Sequence, residues 1–218
     1  MRPKNTSNIC SKSFWAAVIL LVSTMGCSGE RSAKQTAGVA TTTPREEASA
    51  QLAEYYITSL DNALIGKIAL DENEVRVAIE GKELWGIQSR EDKRKYRNSS
   101  DQVAFVIKYS DAGFKLRDAQ EELIWKVKHY EDYLKISDNE EMQNAFRVGF
   151  SDSDKLKVKI DGEEQYVAIF DPKSAQFKMG NYNLRNFKNS LASGMLLIEE
   201  IPLKERVILA AEVLKSGQ

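Results

Sequence analysis

Residues 154–164 read Asp-Lys-Leu-Lys-Val-Lys-Ile-Asp-Gly-Glu-Glu. Leu156, Val158 and Ile160 alternate with Lys155, Lys157 and Lys159. A period of two puts the apolar residues on one face and the lysines on the other, which is the pattern of a half-buried strand. Asp161 and Gly162 then supply a local side-chain hydrogen bond and a positive φ, the two requirements of a tight turn. This strand-and-turn unit recurs along the chain. Val75, Val77 and Ile79 alternate with Arg76 and Ala78, and Phe105, Ile107 and Tyr109 with Val106 and Lys108. Phe114 and Leu116, Trp125 and Val127, and Phe146, Val148 and Phe150 do the same against Lys115, Lys126, Arg147 and Gly149. Turn signals stand between them at residues 71–74, 80–83, 118–121, 138–141 and 161–164. Glu80, Asp101, Asp118, Asp138 and Asp161 are spaced by 21, 17, 20 and 23 residues, about one hairpin per unit. The expected fold class is therefore mainly β, an antiparallel meander of about 10–12 short strands between residues 64 and 180.

The flanks carry a different period. Leu52, Tyr56, Leu60 and Leu64 recur at four-residue spacing, which predicts an N-terminal helix over residues 51–64. Leu191 to Ile201 is apolar with few polar breaks. Pro202 then opens a segment in which Val207, Leu209, Ala210, Val213 and Leu214 share one face, and Gly217 lies beyond its end. Proline at the first turn and glycine past the last predict an apolar C-terminal helix.

Short strands over Phe114–Lys128, Leu134–Val148 and Lys155–Ile169, closing on Leu191–Leu214, resemble the tubby-like barrels in their LURP-one and phospholipid-scramblase branch. In that family about twelve strands close around a buried helix, which removes the sheet edges. The resemblance implies a closed barrel over residues 64–215 and an association with phospholipid. Glu199, Glu200, Glu205, Arg206 and Glu212 are many charges for a helix threaded through a barrel. The alternative is an open or sandwiched antiparallel sheet capped on one face by the helix.

Ahead of this domain the sequence reads as an address. Residues 1–13 hold Arg2, Lys4 and Lys12 and no acid, and Phe14 to Met25 is an uncharged apolar run of 12 residues. That is too short to span a bilayer, which needs roughly 20 residues. A basic segment, a short apolar run and Gly26 before Cys27 predict a signal peptide over residues 1–26. The junction resembles the lipobox of bacterial lipoproteins, with Thr24 in place of the usual aliphatic residue. The resemblance implies lipidation of Cys27 and an exported protein, anchored to a membrane of the cell envelope by lipid. Residues 27–50 then form a lipidated Cys and flexible tether, and residues 51–218 a single β-rich domain. As a random coil, Ser28–Ala50 would reach roughly 25–30 Å. Cys10 leaves with the signal peptide, so the mature chain has no second thiol for a disulfide.

Loss of residues 1–26 removes Arg2, Lys4 and Lys12, so the formal net charge of −1 falls to −4 and nucleic acid is not an expected partner. His129 is the single histidine and reads as a surface residue near a strand end. With one His and one mature Cys, no zinc site of the usual ligand types can be assembled, and no cofactor motif occurs. No nucleophile motif of the G-x-S-x-G type is present, so no catalytic residue is assigned and the protein is not expected to be an enzyme. Asp152-Ser-Asp154 opens like an EF-hand loop but has Lys157 at the sixth position, where glycine is required, and reads as a turn. Trp85 and Trp125 read as core residues. One surface feature stands out: the outward strand positions are basic and the turns acidic. Lys108, Lys115, Arg117, Lys135 and Arg147 share this pattern, and the candidate face for an anionic ligand is Lys126, Lys128, Lys155, Lys157 and Lys159. As a binding face it would take anionic lipid or an envelope polymer; the alternative reading is that outward lysines keep these strand faces soluble and unpaired with neighbours.

Overall fold

The computed structural model describes residues 52–217 apart from Ser153, Ala175, Lys188 and Asn189; the expected signal peptide, Cys27 and the tether lie outside these residues. Among the described residues fourteen strands follow in order. They are β1 (Ala53–Ser59), β2 (Leu64–Leu70), β3 (Glu74–Ile79), β4 (Lys82–Arg90), β5 (Lys93–Arg97), β6 (Val103–Ser110) and β7 (Gly113–Asp118), then β8 (Leu123–His129), β9 (Tyr133–Ser137), β10 (Phe146–Asp152), β11 (Lys155–Ile160), β12 (Glu163–Asp171), β13 (Gln176–Met179) and β14 (Tyr182–Arg185). Each pairs antiparallel with the next. β1 also pairs with β14, with Ile57 opposite Leu184, so the meander closes into a barrel without a free edge. Two-residue hairpin loops occur where they were legible: Glu80-Gly81 and Asp161-Gly162 all have positive φ, the backbone that a type I′ turn demands.

The structure extends one expectation and corrects another. Twelve strands, β2–β13, lie between residues 64 and 180 as expected, and β1 and β14 outside those bounds bring the barrel to fourteen; residues 51–64 hold strand β1 rather than an N-terminal helix. A spacing of four residues is also two strand periods, so Leu52, Leu60 and Leu64 fit both readings. All three are exposed, while Ile57 at 0 % is in the core. The run Tyr55-Tyr56-Ile57-Thr58, aromatic and β-branched, was the more telling signal.

Fourteen strands enclose more space than their own side chains fill; about eight suffice for a barrel packed by side chains alone. The remainder is filled by two helices, α1 (Ala192–Leu197) and α2 (Leu203–Lys215). Every residue of α1 is buried, and so is each of the eight residues Arg206–Val213 of α2. Burial on all sides of a helix places it in the lumen. α1 packs on β10, β11 and β12 and α2 on β2 and β3. α1 lies close to the wall: a Cβ on Gly194 would stand 2.1 Å from Cγ1 of Val148 and 3.1 Å from Cδ2 of Leu156. At the mouth where α2 enters, the Trp125 indole N–H donates to Glu205 at 2.6 Å and Lys204 lies 4.7 Å over the Phe105 ring. At the mouth where α2 ends, Lys215 donates to the carbonyls of Asp71 and Glu72 in the β2–β3 turn. Among the described residues no helix is long and apolar enough to cross a membrane.

The closed barrel overturns the open or sandwiched sheet. The charges counted against a threaded helix do not prevent closure, because few of them are in the lumen. Glu199 and Glu200 are exposed between the helices, and Glu205 is half-buried. Two charged side chains of α2 are buried, so the C-terminal helix is not the purely apolar element expected. Arg206 donates to the Leu196 carbonyl at 2.9 Å, satisfying the end of α1. Glu212, 1 % exposed, accepts Tyr96 and Tyr109 hydroxyls at 2.6 Å each and Arg94 at 3.3 and 3.4 Å. Burial first, and then the carboxylate beside them, push both phenols well above their ordinary pKa, which keeps them protonated as donors.

Candidate functional site

The register of the barrel sorts the outward cations into two rows. In the first, Lys93, Lys108, Lys115 and Lys126 stand directly opposite one another across β5, β6, β7 and β8. In the second, Lys128, Lys135, Arg147 and Lys159 do the same across β8, β9, β10 and β11. Strands lie about 4.8 Å apart, so each row spans about 14 Å. Like charges directly opposite each other oppose pairing. The two rows handle this differently.

Each lysine of the first row is paired by one of two turn residues. Glu121, in the β7–β8 turn at a φ of 68°, reaches back to Lys108 at 2.6 Å and also pairs with Lys93. Glu140, in the β9–β10 turn, takes Lys115 at 2.7 Å, Lys126 at 2.9 Å and Arg117 at 3.5 Å. Hydrogen bonds from Lys108 and then Lys93 hold the Glu121 carboxyl down at about 2, and those from Lys115 and then Lys126 hold Glu140 at about 2. Both stay ionised throughout the physiological range.

The second row has no such carboxylates. Among the described residues none of its four cations forms an ion pair within 4.0 Å. Glu164, opposite Lys159 in the register, is bound to Lys157 at 2.6 Å instead. Neutral rings support the row. The Arg147 guanidinium lies 3.9 Å over the Tyr133 ring, Tyr133 stacks on Tyr130 at 4.5 Å, and Lys135 stands 6.0 Å over Tyr130. Cation–π contacts of this kind hold a charge in place without cancelling it. Shallow clefts of about 240 and 300 Å³ open on either side of Arg147 and Lys159. Gly149 helps to form the first, since a Cβ there would stand 3.2 Å from that of Tyr133.

The five residues of the expected face are thus divided. Lys128 and Lys159 belong to the unpaired row. Lys126 is held by Glu140 and Lys157 by Glu164, so neither charge is free. Lys155 sits at the other end of β11, opposite Ile169. Lys135 and Arg147 complete the row; their sequence shows them as outward cations, but only the order β8-β9-β10-β11 sets them between Lys128 and Lys159.

The aromatic expectations are corrected in part. Trp125 points inward and is half-buried. Trp85 points outward, between inward Leu84 and Gly86, and is not a core residue. Its strand carries Gly86 on the inner face because a Cβ there would stand 2.8 Å from the Tyr96 ring. His129 is not a plain surface residue: it is half-buried with its ring edge-on to Phe114 at 5.8 Å, and burial lowers its pKa. Among the described residues no group of three His, Cys, Asp or Glu side chains is gathered that could hold a metal ion.

A scan of family models and searches of curated proteins and of solved structures find no match to this chain.

Proposed function

We propose that this is a non-enzymatic, lipid-anchored protein of the cell envelope whose barrel binds anionic phospholipid head groups through Lys128, Lys135, Arg147 and Lys159. The observation that carries the reading is the contrast between the rows: four cations aligned with two carboxylates closing on them, and four more that form no ion pair among the described residues. An uncompensated row opposes pairing of its own strands, and an external anion removes that repulsion. Anchored at Cys27 by acyl chains, the barrel would be tethered to the bilayer by a coil whose typical reach is roughly 25–30 Å. The resemblance to the tubby-like and phospholipid-scramblase barrels supports the same reading. A closed antiparallel meander around a buried helix agrees with it, while the extra strands and the second helix depart from it.

Vesicle flotation of residues 47–218 tests the row. Each cation near an anionic surface contributes about 1 kcal/mol. The pair Lys135→Gln and Arg147→Gln should therefore weaken binding to vesicles containing anionic lipid about thirtyfold. Binding by the wild-type barrel should also fall with added salt. Neutral vesicles should not bind. Equal binding by wild type and variant, or none by either, refutes the lipid reading and leaves an anchored structural module.

The anchor has its own test. Cys27→Ser should move the protein out of the detergent phase, because stable anchoring needs the acyl chains. An intact mass that shows Cys27 unmodified, or an unchanged partition of the variant, contradicts the lipoprotein reading.

A further inference from the structure

At the mouth where α2 ends, the inward face of the wall changes from apolar to polar. On five successive strands the inward residues there are Gln88, Arg94, Tyr109, Phe114 and His129. They surround a cavity of about 310 Å³, closed on the lumen side by Glu212 and at the rim by Lys215 of α2. This is the size at which small-molecule sites begin.

The hydrogen-bond balance of the lining is uneven. A carboxylate has about four acceptor positions. Glu212 has filled them with two tyrosine hydroxyls and the two contacts from Arg94. The Gln88 amide oxygen accepts Arg94 at 3.1 Å, and its N–H₂ donates to the carbonyls of Arg90 and Glu91. The acceptors beside Arg94 are therefore committed. Donors are left over. Arg94 has five N–H groups, and Nε of this side chain, in a residue 3 % exposed, has no partner among the described residues. Lys215 gives two carbonyls a hydrogen bond and has a third N–H. His129 Nε2 is also buried without a partner among the described residues. Anchoring α2 through Glu212 requires neither the Arg94 Nε–H nor the third N–H of Lys215.

We infer that this mouth is a binding site for a small organic carboxylate, whose oxygens take the spare donors of Arg94 and Lys215 while its apolar body lies against Phe114 and Tyr109. The carboxylate and amide oxygens beside Arg94 are spent, so the acceptor for its remaining N–H groups has to come from the ligand. The ring wall and the cavity volume limit the body to a few atoms. Two carboxylates of the lining oppose an incoming anion: Glu212, whose charge is paired with Arg94, and Asp111, exposed at the rim.

The site lies apart from the outer cation row and is tested without it. The full-length protein in detergent is titrated calorimetrically with benzoate, and with benzamide as the uncharged molecule of the same shape. Benzoate should bind at millimolar concentration or below, and benzamide at least about tenfold more weakly, as expected when charged hydrogen bonds are replaced by neutral ones. Lys215→Met keeps the aliphatic stem and should weaken benzoate about tenfold while the barrel stays folded by circular dichroism, the loss of its two bonds to the β2–β3 turn lowering the thermal midpoint only slightly. Asp111→Asn, at an exposed turn, should tighten it. Equal affinity for benzoate and benzamide, no benzoate binding at millimolar concentration, or indifference to both substitutions overturns the inference.

Discussion

Glu212→Leu lowers the stability of the barrel by about 3–5 kcal/mol, the range for breaking a buried ion pair on one side. The substitution strands the Arg94 guanidinium, 3 % exposed, without its counter-charge, and removes the acceptor of the Tyr96 and Tyr109 hydroxyls. Most of the loss comes from the uncompensated cation, because an unpaired charge in the lumen costs more than an unpaired hydroxyl. Adding Arg94→Met to Glu212→Leu should therefore recover most of the loss, since a buried pair replaced on both sides by apolar residues is often neutral. Urea unfolding of the two variants measures the loss and its recovery. A single variant within about 1 kcal/mol of wild type would show that the cluster is solvated. A double variant no better than the single would show that Arg94 is not the stranded group.

Gly194→Val destabilises the barrel by about 3 kcal/mol, the upper end of the usual cost of overpacking. Two effects oppose each other at this position. Glycine inside a helix costs about 1 kcal/mol relative to alanine, so propensity favours any replacement with a side chain. Against that, even the first added carbon would lie 2.1 Å from Val148 Cγ1, far inside contact distance. The clash outweighs the propensity, and Gly194→Ala should already be destabilising. Val148→Ala removes the opposing methyl groups. In the Gly194→Ala background it should cost less than it does alone, a coupling that a double-mutant cycle on thermal unfolding reads directly. A stabilised Gly194→Ala would mean that α1 stands further from β10 and β11 than this close approach requires.

The wall of the barrel was largely legible before its structure. Lys155–Ile160 states its strand and its inner face in six residues, and Asp161-Gly162 states the turn after it. Two kinds of information were not. The first is closure: nothing in Tyr56 or Arg185 says that they are Cα partners across the seam. The lumen follows from closure, and with it the meaning of Arg206 and Glu212. In sequence they look like charges that forbid a buried helix; in the barrel each has a partner on another element. The second is lateral register. Lys126 and Lys128 read alike in sequence. Glu140 reaches the first from a turn 14 residues away, and nothing neutralises the second among the described residues. Alternation tells which face a lysine takes, but not which neighbours share its row.

The order in which the chain is made sets a condition on its folding. The seam joins residues as far apart as Thr58 and Asn183, 125 positions along the chain, and Lys215 reaches back 144 positions to Asp71. The two helices that fill the barrel follow every strand in the chain. Until α2 exists the wall has nothing to pack around, and until β14 exists β1 has an open side. Contacts of such sequence separation form slowly, because the loop entropy is spent before they are made. A growing chain of this protein therefore carries incomplete sheet with open edges until β14 and α2 have emerged. If the chain is exported, as proposed, that delay has a use: a chain that cannot close early is still unfolded enough to be threaded through a membrane.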